Sequence, residues 1–181
     1  SMVYPLSSMG AQVSAVPNHQ VLRTTPIETR ANVACFGTFG YELDLNQLTE
    51  EELEKVRRQI AFMKENRDLI QFSPFEGRGN VTAWMVVSGD RKRALVGYYR
   101  ILEPVNEGYR KIRLAGLEEG IRYHVSIQGG GYHGGFKEID VYGDELLNFG
   151  LIVSDSSSGD NKEKYDGTNG DYQSRIYMLE A

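Results

Sequence analysis

The chain has 181 residues, 40% of them hydrophobic and 25% charged, the balance of a globular chain with room for one substantial core or two small ones and not of a disordered segment. Its 20 Lys and Arg against 25 Asp and Glu give a net charge of −5, which argues against a nucleic-acid partner, because phosphates call for clustered cations. The single cysteine, Cys35, excludes an intrachain disulfide, and no Cys/His set has the spacing of a zinc site.

Residues Ser1 to Val16 are broken by Pro5 and Gly10 and lack a basic leader. They predict neither a signal peptide nor a membrane span, which leaves a cytoplasmic location as the expectation. Gln12 to Val16 alternates polar and small apolar residues and predicts a strand. Pro17 ends it, since proline has no N–H for a ladder, and Pro17-Asn18-His19-Gln20 then reads as a polar loop. From Pro26 to Phe39, the helical spacing of Ile27, Ala31, Ala34 and Cys35 predicts a helix over 26–39, punctuated by Gly37 and Gly40.

Strand, loop and helix make one unit of a β/α barrel, and one unit cannot close on itself. The expectation is that residues 1–48 form the terminal unit of a (β/α)8 barrel within a larger enzyme. Their apolar faces would then drive self-association when this stretch is isolated.

Thr49-Glu50-Glu51-Glu52 is a capping box, in which the Thr49 hydroxyl and the Glu52 carboxylate each accept from the other's backbone N–H. It predicts a bracket helix over 49–72, with Leu53, Val56, Ile60, Met63, Arg67 and Ile70 on one stripe and the Arg67 stem along its rim. Beyond Phe72 the period changes to two. Strands are predicted at 81–88, 94–102, 109–114, 121–127, 146–153 and 172–179, with a hairpin turn at Ser88-Gly89-Asp90-Arg91. Residues 73–181 are therefore expected to form a carboxy-terminal antiparallel β-sandwich, and the fold class to be α+β. Gly129 to Gly135 and Ser154 to Gly170 read as loops.

Chemistry is sparse. Glu42 with Asp44 and Asp144 with Glu145 are the carboxylate pairs to weigh for sugar hydrolysis. Capping or pairing with Arg30 is the plainer reading of the first pair, and a turn entering a strand that of the second. His19 follows a strand, where barrel enzymes place functional side chains, but equally suits a turn-fixing loop histidine. His124 falls in a strand as a surface or inter-sheet residue, and His133 in a glycine loop. Trp84 and Tyr132 could stack on sugar rings, although aromatics at period two more often pair across strands. Ser7, Ser8 and Ser14 lie in no nucleophile elbow, and Gly129-Gly130-Gly131 opens no phosphate loop. No catalytic residue, metal ligand or cofactor site is assigned, and the weak substrate-binding candidates are His19, Trp84 and Tyr132.

Four stretches go further: MGAQVSAVPNHQVLRTTPIETRANVACFGTFGYELDL (9–45), NVTAWMVVSGDRKRALVGYYRIL (80–102), YGDELLNFGLIV (142–153) and GDYQSRIYMLEA (170–181). In this order they resemble the carboxy-terminal part of bacterial α-galactosidases of glycoside hydrolase family 36. The resemblance implies a retaining hydrolase of terminal α-linked galactose, of the melibiose and raffinose type, commonly oligomeric. Its expected architecture is an amino-terminal supersandwich, a central (β/α)8 barrel and a carboxy-terminal sandwich. Two aspartates would perform the chemistry, one as nucleophile and one as acid and base. Their motifs, Asp-x-Asn and a Ser-Asp-Asp run, are expected upstream and unmatched within residues 1–181, so this stretch alone is expected to be inactive.

Two departures stand out. Gln12 occupies a position where the family pattern has His, which keeps hydrogen bonding but loses titration. Ser73-Pro74-Phe75 after Phe72 replaces the Gly-x-Phe-Tyr-Arg-Leu run. The rival readings are a carbohydrate-binding module and a purely structural or oligomerising sandwich.

Overall fold

A computed structural model describes residues 6–71, 80–102, 110–128, 138–153 and 171–181. The chain divides into two compact units, 1–74 and 75–181.

In the first unit, strand β1 (Gly10–Ser14) lies parallel to β2 (Thr38–Glu42), with helix α1 (Ile27–Ala34) between them in sequence. Alternation along both strands sends Ala11, Val13, Phe39 and Tyr41 to the helical side, where they pack with Ile27, Ala31, Ala34 and Val56. The expected helix over 26–39 is therefore too long, and the expected strand at 12–16 begins and ends two residues earlier. Contact with β1 overrides the helical pattern: Thr38 N donates to the Met9 carbonyl at 2.7 Å. A Cβ on Gly37 would sit 2.7 Å from the Ala11 Cβ, so only glycine lets the chain turn there. The unit is βαβ, with two parallel strands where one had been expected.

Helix α2 (Glu50–Gln71) begins as its capping box predicts. Glu52 N donates to Thr49 Oγ1 at 3.2 Å and Thr49 N to Glu52 Oε2 at 2.9 Å. Lys55 ties the helix to α1, lying 2.9 Å from Glu28 and 3.0 Å from Glu51. Its buried stripe includes Val56 and Ile70, but also two amides that the apolar pattern did not predict, Gln59 and Asn66. Asn66 Nδ2 donates to the Phe62 carbonyl one turn back at 3.0 Å, which lets an amide sit in the stripe. Arg67 is exposed.

The second unit is built on a five-stranded antiparallel sheet in the order β3-β4-β9-β6-β7. Its strands are β3 (Val81–Val87), β4 (Arg93–Arg100), β6 (Arg122–Ile127), β7 (Ile139–Tyr142) and β9 (Gln173–Glu180). The last strand in sequence is central in space, paired with β4 through eight residues of register and with β6 through four. A second pair, β5 (Lys111–Ile112) with β8 (Leu151–Ile152), and the short helix α3 (Gly143–Asn148) contribute to the same core. Val96, Tyr98, Tyr123, Val125, Tyr177 and Leu179 line its sheet side, and Leu114, Leu117, Leu146, Leu151 and Val153 meet them. The opposite sheet face is also buried at Val86, Leu95 and Ile176.

Three expectations change here. The strand predicted at 146–153 shrinks to 151–152, because residues 143–148 are helical. The strand predicted at 109–114 shrinks to 111–112 within the described residues, and β7 was missed altogether. The cause of the first is tertiary: Gly143 N donates to the Ile121 carbonyl and Asp144 N to the Glu119 carbonyl, which turns the chain and drops Leu146 into the core. The hairpin at Ser88–Arg91 holds, with Asp90 Oδ1 accepting from Ser88 Oγ at 2.6 Å and from Lys92 N at 3.1 Å. The expected loops at Gly129–Gly135 and Ser154–Gly170, and the unusual stretch after Phe72, lie outside the described residues.

Candidate functional site

Parallel strands place the carboxyl ends of β1 and β2 side by side, the edge at which α/β folds build their sites. Here the two ends are held rigidly. Ala15 N donates to the Glu42 carbonyl at 3.1 Å. The Arg30 guanidinium, on α1, donates through Nη1 to the Ser14 carbonyl and through Nε to the Thr25 carbonyl at 3.1 Å. Burial lowers the pKa of Arg30 against the opposing pull of Glu52 and Glu28. Arg30 thus serves backbone carbonyls and not the Glu42/Asp44 pair that the sequence offered it.

The loop between β1 and α1 folds on Asn18, whose Oδ1 accepts from Gln20 N at 3.0 Å and Val21 N at 3.2 Å. His19 is exposed in that turn, and it is Asn18 that fixes the turn. At the end of β2, Asp44 caps a single 3-10 turn over Leu45–Gln47, accepting from Asn46 N, Asn46 Nδ2 and Gln47 Nε2. These bonds, the Asn46 backbone first, hold its pKa below the usual carboxylate range. Asp44-Leu45-Asn46 does have the Asp-x-Asn spacing, against the expectation that residues 1–181 contain no match. The structure gives this Asp a capping role in an exposed turn.

The face of the β1–β2 sheet turned away from the helices carries Gly10, Gln12 and Ser14 from β1 and Thr38, Gly40 and Glu42 from β2. On the helical side, a cleft of about 420 Å³ is lined by Phe39, Tyr41, Ile60, Met63, Lys64 and Arg67 among others.

The other candidates are scattered. Trp84 is half-buried on β3 and packs on Tyr99 of β4, ring centroids 4.8 Å apart and planes tilted by 50°, a cross-strand aromatic pair. Tyr132 and His133 lie outside the described residues. His124 is exposed on β6, with Nδ1 2.8 Å from Asp140 Oδ1 and Nε2 3.6 Å from Glu138 Oε2. Those carboxylates, Asp140 first, raise its pKa. Asp144 and Glu145 occupy the first turn of α3, where Asp144 Oδ1 accepts from Glu145 N. Cys35 is buried, and desolvation pushes its thiol up to about 12, so it is no nucleophile. Among the described residues no group of three or more His, Cys, Asp and Glu could hold a metal ion. No helix among them is long and apolar enough to cross a membrane.

His19 thus lies in the first unit and Trp84 in the second, while Tyr132 lies outside the described residues. What sequence reading missed is the helix-free polar face, whose signal was available in the alternation of Gly10, Gln12 and Ser14 with Ala11 and Val13.

Comparison with known proteins follows the same division of the chain. A Melibiase family model matches residues 1–73, and the model of the glycosyl hydrolase family 36 C-terminal domain matches residues 81–179. The alpha-galactosidase AgaA of Geobacillus stearothermophilus is 47% identical over 165 residues, which cover 87% of this chain and 21% of that protein. Its crystal structure superposes at a TM-score of 0.81 with 41% identity, covering 99% of this chain and 23% of AgaA. Structures of AgaA variants in complex with raffinose and with stachyose match at the same TM-score and 40% identity. The alpha-galactosidase/sucrose kinase AgaSK of Mediterraneibacter gnavus is 40% identical over 141 residues, 74% of this chain and 15% of that protein. The chain thus spans about a fifth of the length of its curated relatives.

Proposed function

Because the chain belongs to glycoside hydrolase family 36, we propose that it is the carboxy-terminal segment of a retaining α-galactosidase that hydrolyses terminal α-galactosides of the melibiose and raffinose type. The observation that carries this reading is the pair of family matches, which run in sequence order across both compact units. AgaA, with which the chain shares 47% identity, is named for that activity and has been crystallised with raffinose and stachyose. In this reading residues 1–181 supply a βαβ end of the barrel, the bracket helix and the antiparallel layer, and the reacting aspartates are contributed by polypeptide outside this stretch.

The reading extends to a homo-oligomer in the cytoplasm, with α-galactoside as substrate and no nucleic-acid partner. A carbohydrate-binding module is less well supported, because Trp84, its best platform, packs against Tyr99.

The test is turnover of raffinose and of an aryl α-galactoside by the full-length polypeptide carrying this segment, beside residues 1–181 alone. Galactose release by the former and none by the latter is expected. Release by residues 1–181 would overturn the division of labour, and no release by the full-length polypeptide would overturn the activity.

A further inference from the structure

We propose that Arg30 is a positioning residue for the α-galactoside hydrolysis: its single guanidinium ties down both stems of the loop between β1 and α1, and so holds that loop in the conformation that meets substrate. The inference rests on the reading above for the reaction. It goes beyond that reading in naming a residue on α1 that acts through backbone carbonyls alone.

Geometry is the first support. The loop runs over residues 15–25, from the end of β1 to the proline that precedes α1. Nη1 of Arg30 donates to the Ser14 carbonyl at its start, and Nε donates to the Thr25 carbonyl at its end at 3.1 Å. Two donors on one rigid plane thereby fix the separation of two points that are distant along the chain. Arg30 is itself half-buried on a helix whose Ile27, Ala31 and Ala34 are buried, so the plane has a firm base.

The loop needs such an anchor. Asn18 N donates to the Arg23 carbonyl at 2.9 Å and Leu22 N to the Asn18 carbonyl at 2.8 Å, which closes residues 18–23 into a ring. Leu22 enters that ring at a φ of 53°, a left-handed conformation that a bulky side chain adopts only at a cost. Backbone of this kind persists where its surroundings over-determine it. The ring bonds hold the middle of the loop, and the Arg30 bonds hold the segments that join it to β1 and to α1.

Charge placement agrees with this role. Burial lowers the pKa of Arg30, while Glu52 at the start of α2 and Glu28 on α1 oppose the shift, so both helices bring a carboxylate towards the cation. A lysine could not replace it, because a single ammonium lacks the planar fork that serves two carbonyls at once. Loops that follow parallel strands carry side chains that touch ligand. Loosening one lowers the fraction of binding-competent conformer, and the apparent dissociation constant rises in proportion.

The experiment uses the full-length polypeptide carrying this segment, as parent, Arg30→Lys and Arg30→Ala. Loop order is read by hydrogen exchange at the amides of Asn18, Gln20 and Leu22, and turnover of an aryl α-galactoside by steady-state kinetics. Each variant is expected to exchange about tenfold faster at these amides with exchange in α2 held, and to raise KM about five- to tenfold while kcat stays within about twofold. A merely structural role would remove active molecules, lowering kcat and leaving KM in place, and that outcome overturns the proposal. Loop exchange unchanged in both variants overturns it as well, as does an unchanged KM where the loop has loosened. Absence of turnover by the parent, with loop exchange still sensitive to Arg30, keeps the clamp and removes the hydrolytic reading.

Discussion

The phenol of Tyr41 on β2 donates to Oε1 of Gln59 on α2 across 2.8 Å, so a polar contact pins the long helix to the parallel strands within its buried stripe. Gln59 is 8% exposed, and burial pushes the Tyr41 hydroxyl up to about 12, which keeps it a donor at any ordinary pH. Tyr41→Phe removes the donor and leaves a buried amide oxygen unsatisfied, at an expected cost of about 1–2 kcal/mol. Urea denaturation of the protein measures it, and an unchanged midpoint would show that water replaces the phenol.

The start of α2 depends on Thr49 and Glu52. Thr49→Ala is expected to lose about 1 kcal/mol of stability, read by thermal unfolding, because the Glu52 N–H loses its acceptor. The Thr49 backbone N–H, with its hydroxyl, lowers the pKa of Glu52. A folded pKa below the unfolded one contributes stability that is present above the unfolded value, near 4.3, and is lost as pH falls through the folded value. Hydrogen-exchange protection in the first turn of α2, taken relative to the intrinsic exchange rate at each pH, should therefore fall as pH drops through the folded pKa of Glu52, and Glu52→Ala should remove that dependence.

His124 titrates in the opposite sense. Asp140, and behind it Glu138, raises its pKa, so its contribution is complete below the unfolded value near 6.5 and fades as pH rises through the folded value. Arg122 lies 3.4 Å from Asp140, and Glu180 is the register partner of His124 on β9. The group is exposed and the effect small, so the measurement must be local. NMR titration should give a His124 pKa above that of a free imidazole, and Asp140→Asn should lower it toward the ordinary value, with Glu138 still raising it.

Gly143 begins α3 where no side chain fits. A Cβ there would lie 2.0 Å from the Glu118 carbonyl oxygen and 3.2 Å from the Tyr123 ring. Gly143→Ala is expected to cost about 3 kcal/mol, since both neighbours are fixed. The Tyr123 hydroxyl donates to the Arg91 carbonyl at 2.6 Å and accepts from Glu118 N at 3.1 Å. A thermal midpoint unchanged by the substitution would mean that the 118–123 turn yields.

The two-stranded parallel sheet gains no further strand on either outer edge among the described residues. Two strands make a marginal sheet in water, and open edges pair with whatever reaches them. Residues 1–181 alone are expected to associate as concentration rises, and sedimentation velocity decides the matter: a compact monomer at high concentration would contradict it.

Local signals in the sequence determined much of this protein. The Thr49/Glu52 box placed the start of α2 within one residue, Asp90 set the hairpin between β3 and β4, and long motifs carried the family. Each of these works through neighbours in sequence, whose bonds form whatever the rest of the chain does. Where contacts from afar decide, the sequence misled. Phe36 to Phe39 read as the end of a helix until pairing with β1 drew Thr38 and Phe39 into β2. Leu146 read as strand until the carbonyls of Glu119 and Ile121 turned its backbone into α3. Gln59 and Asn66 interrupted the apolar stripe of α2, and only Tyr41 and the Phe62 carbonyl explain why burial there is tolerated. The helix-free face needed both strands in register before Gln12, Gly40 and Glu42 could be seen as neighbours, because residues 28 or 30 apart in sequence meet only when parallel pairing fixes which side of the sheet each one takes.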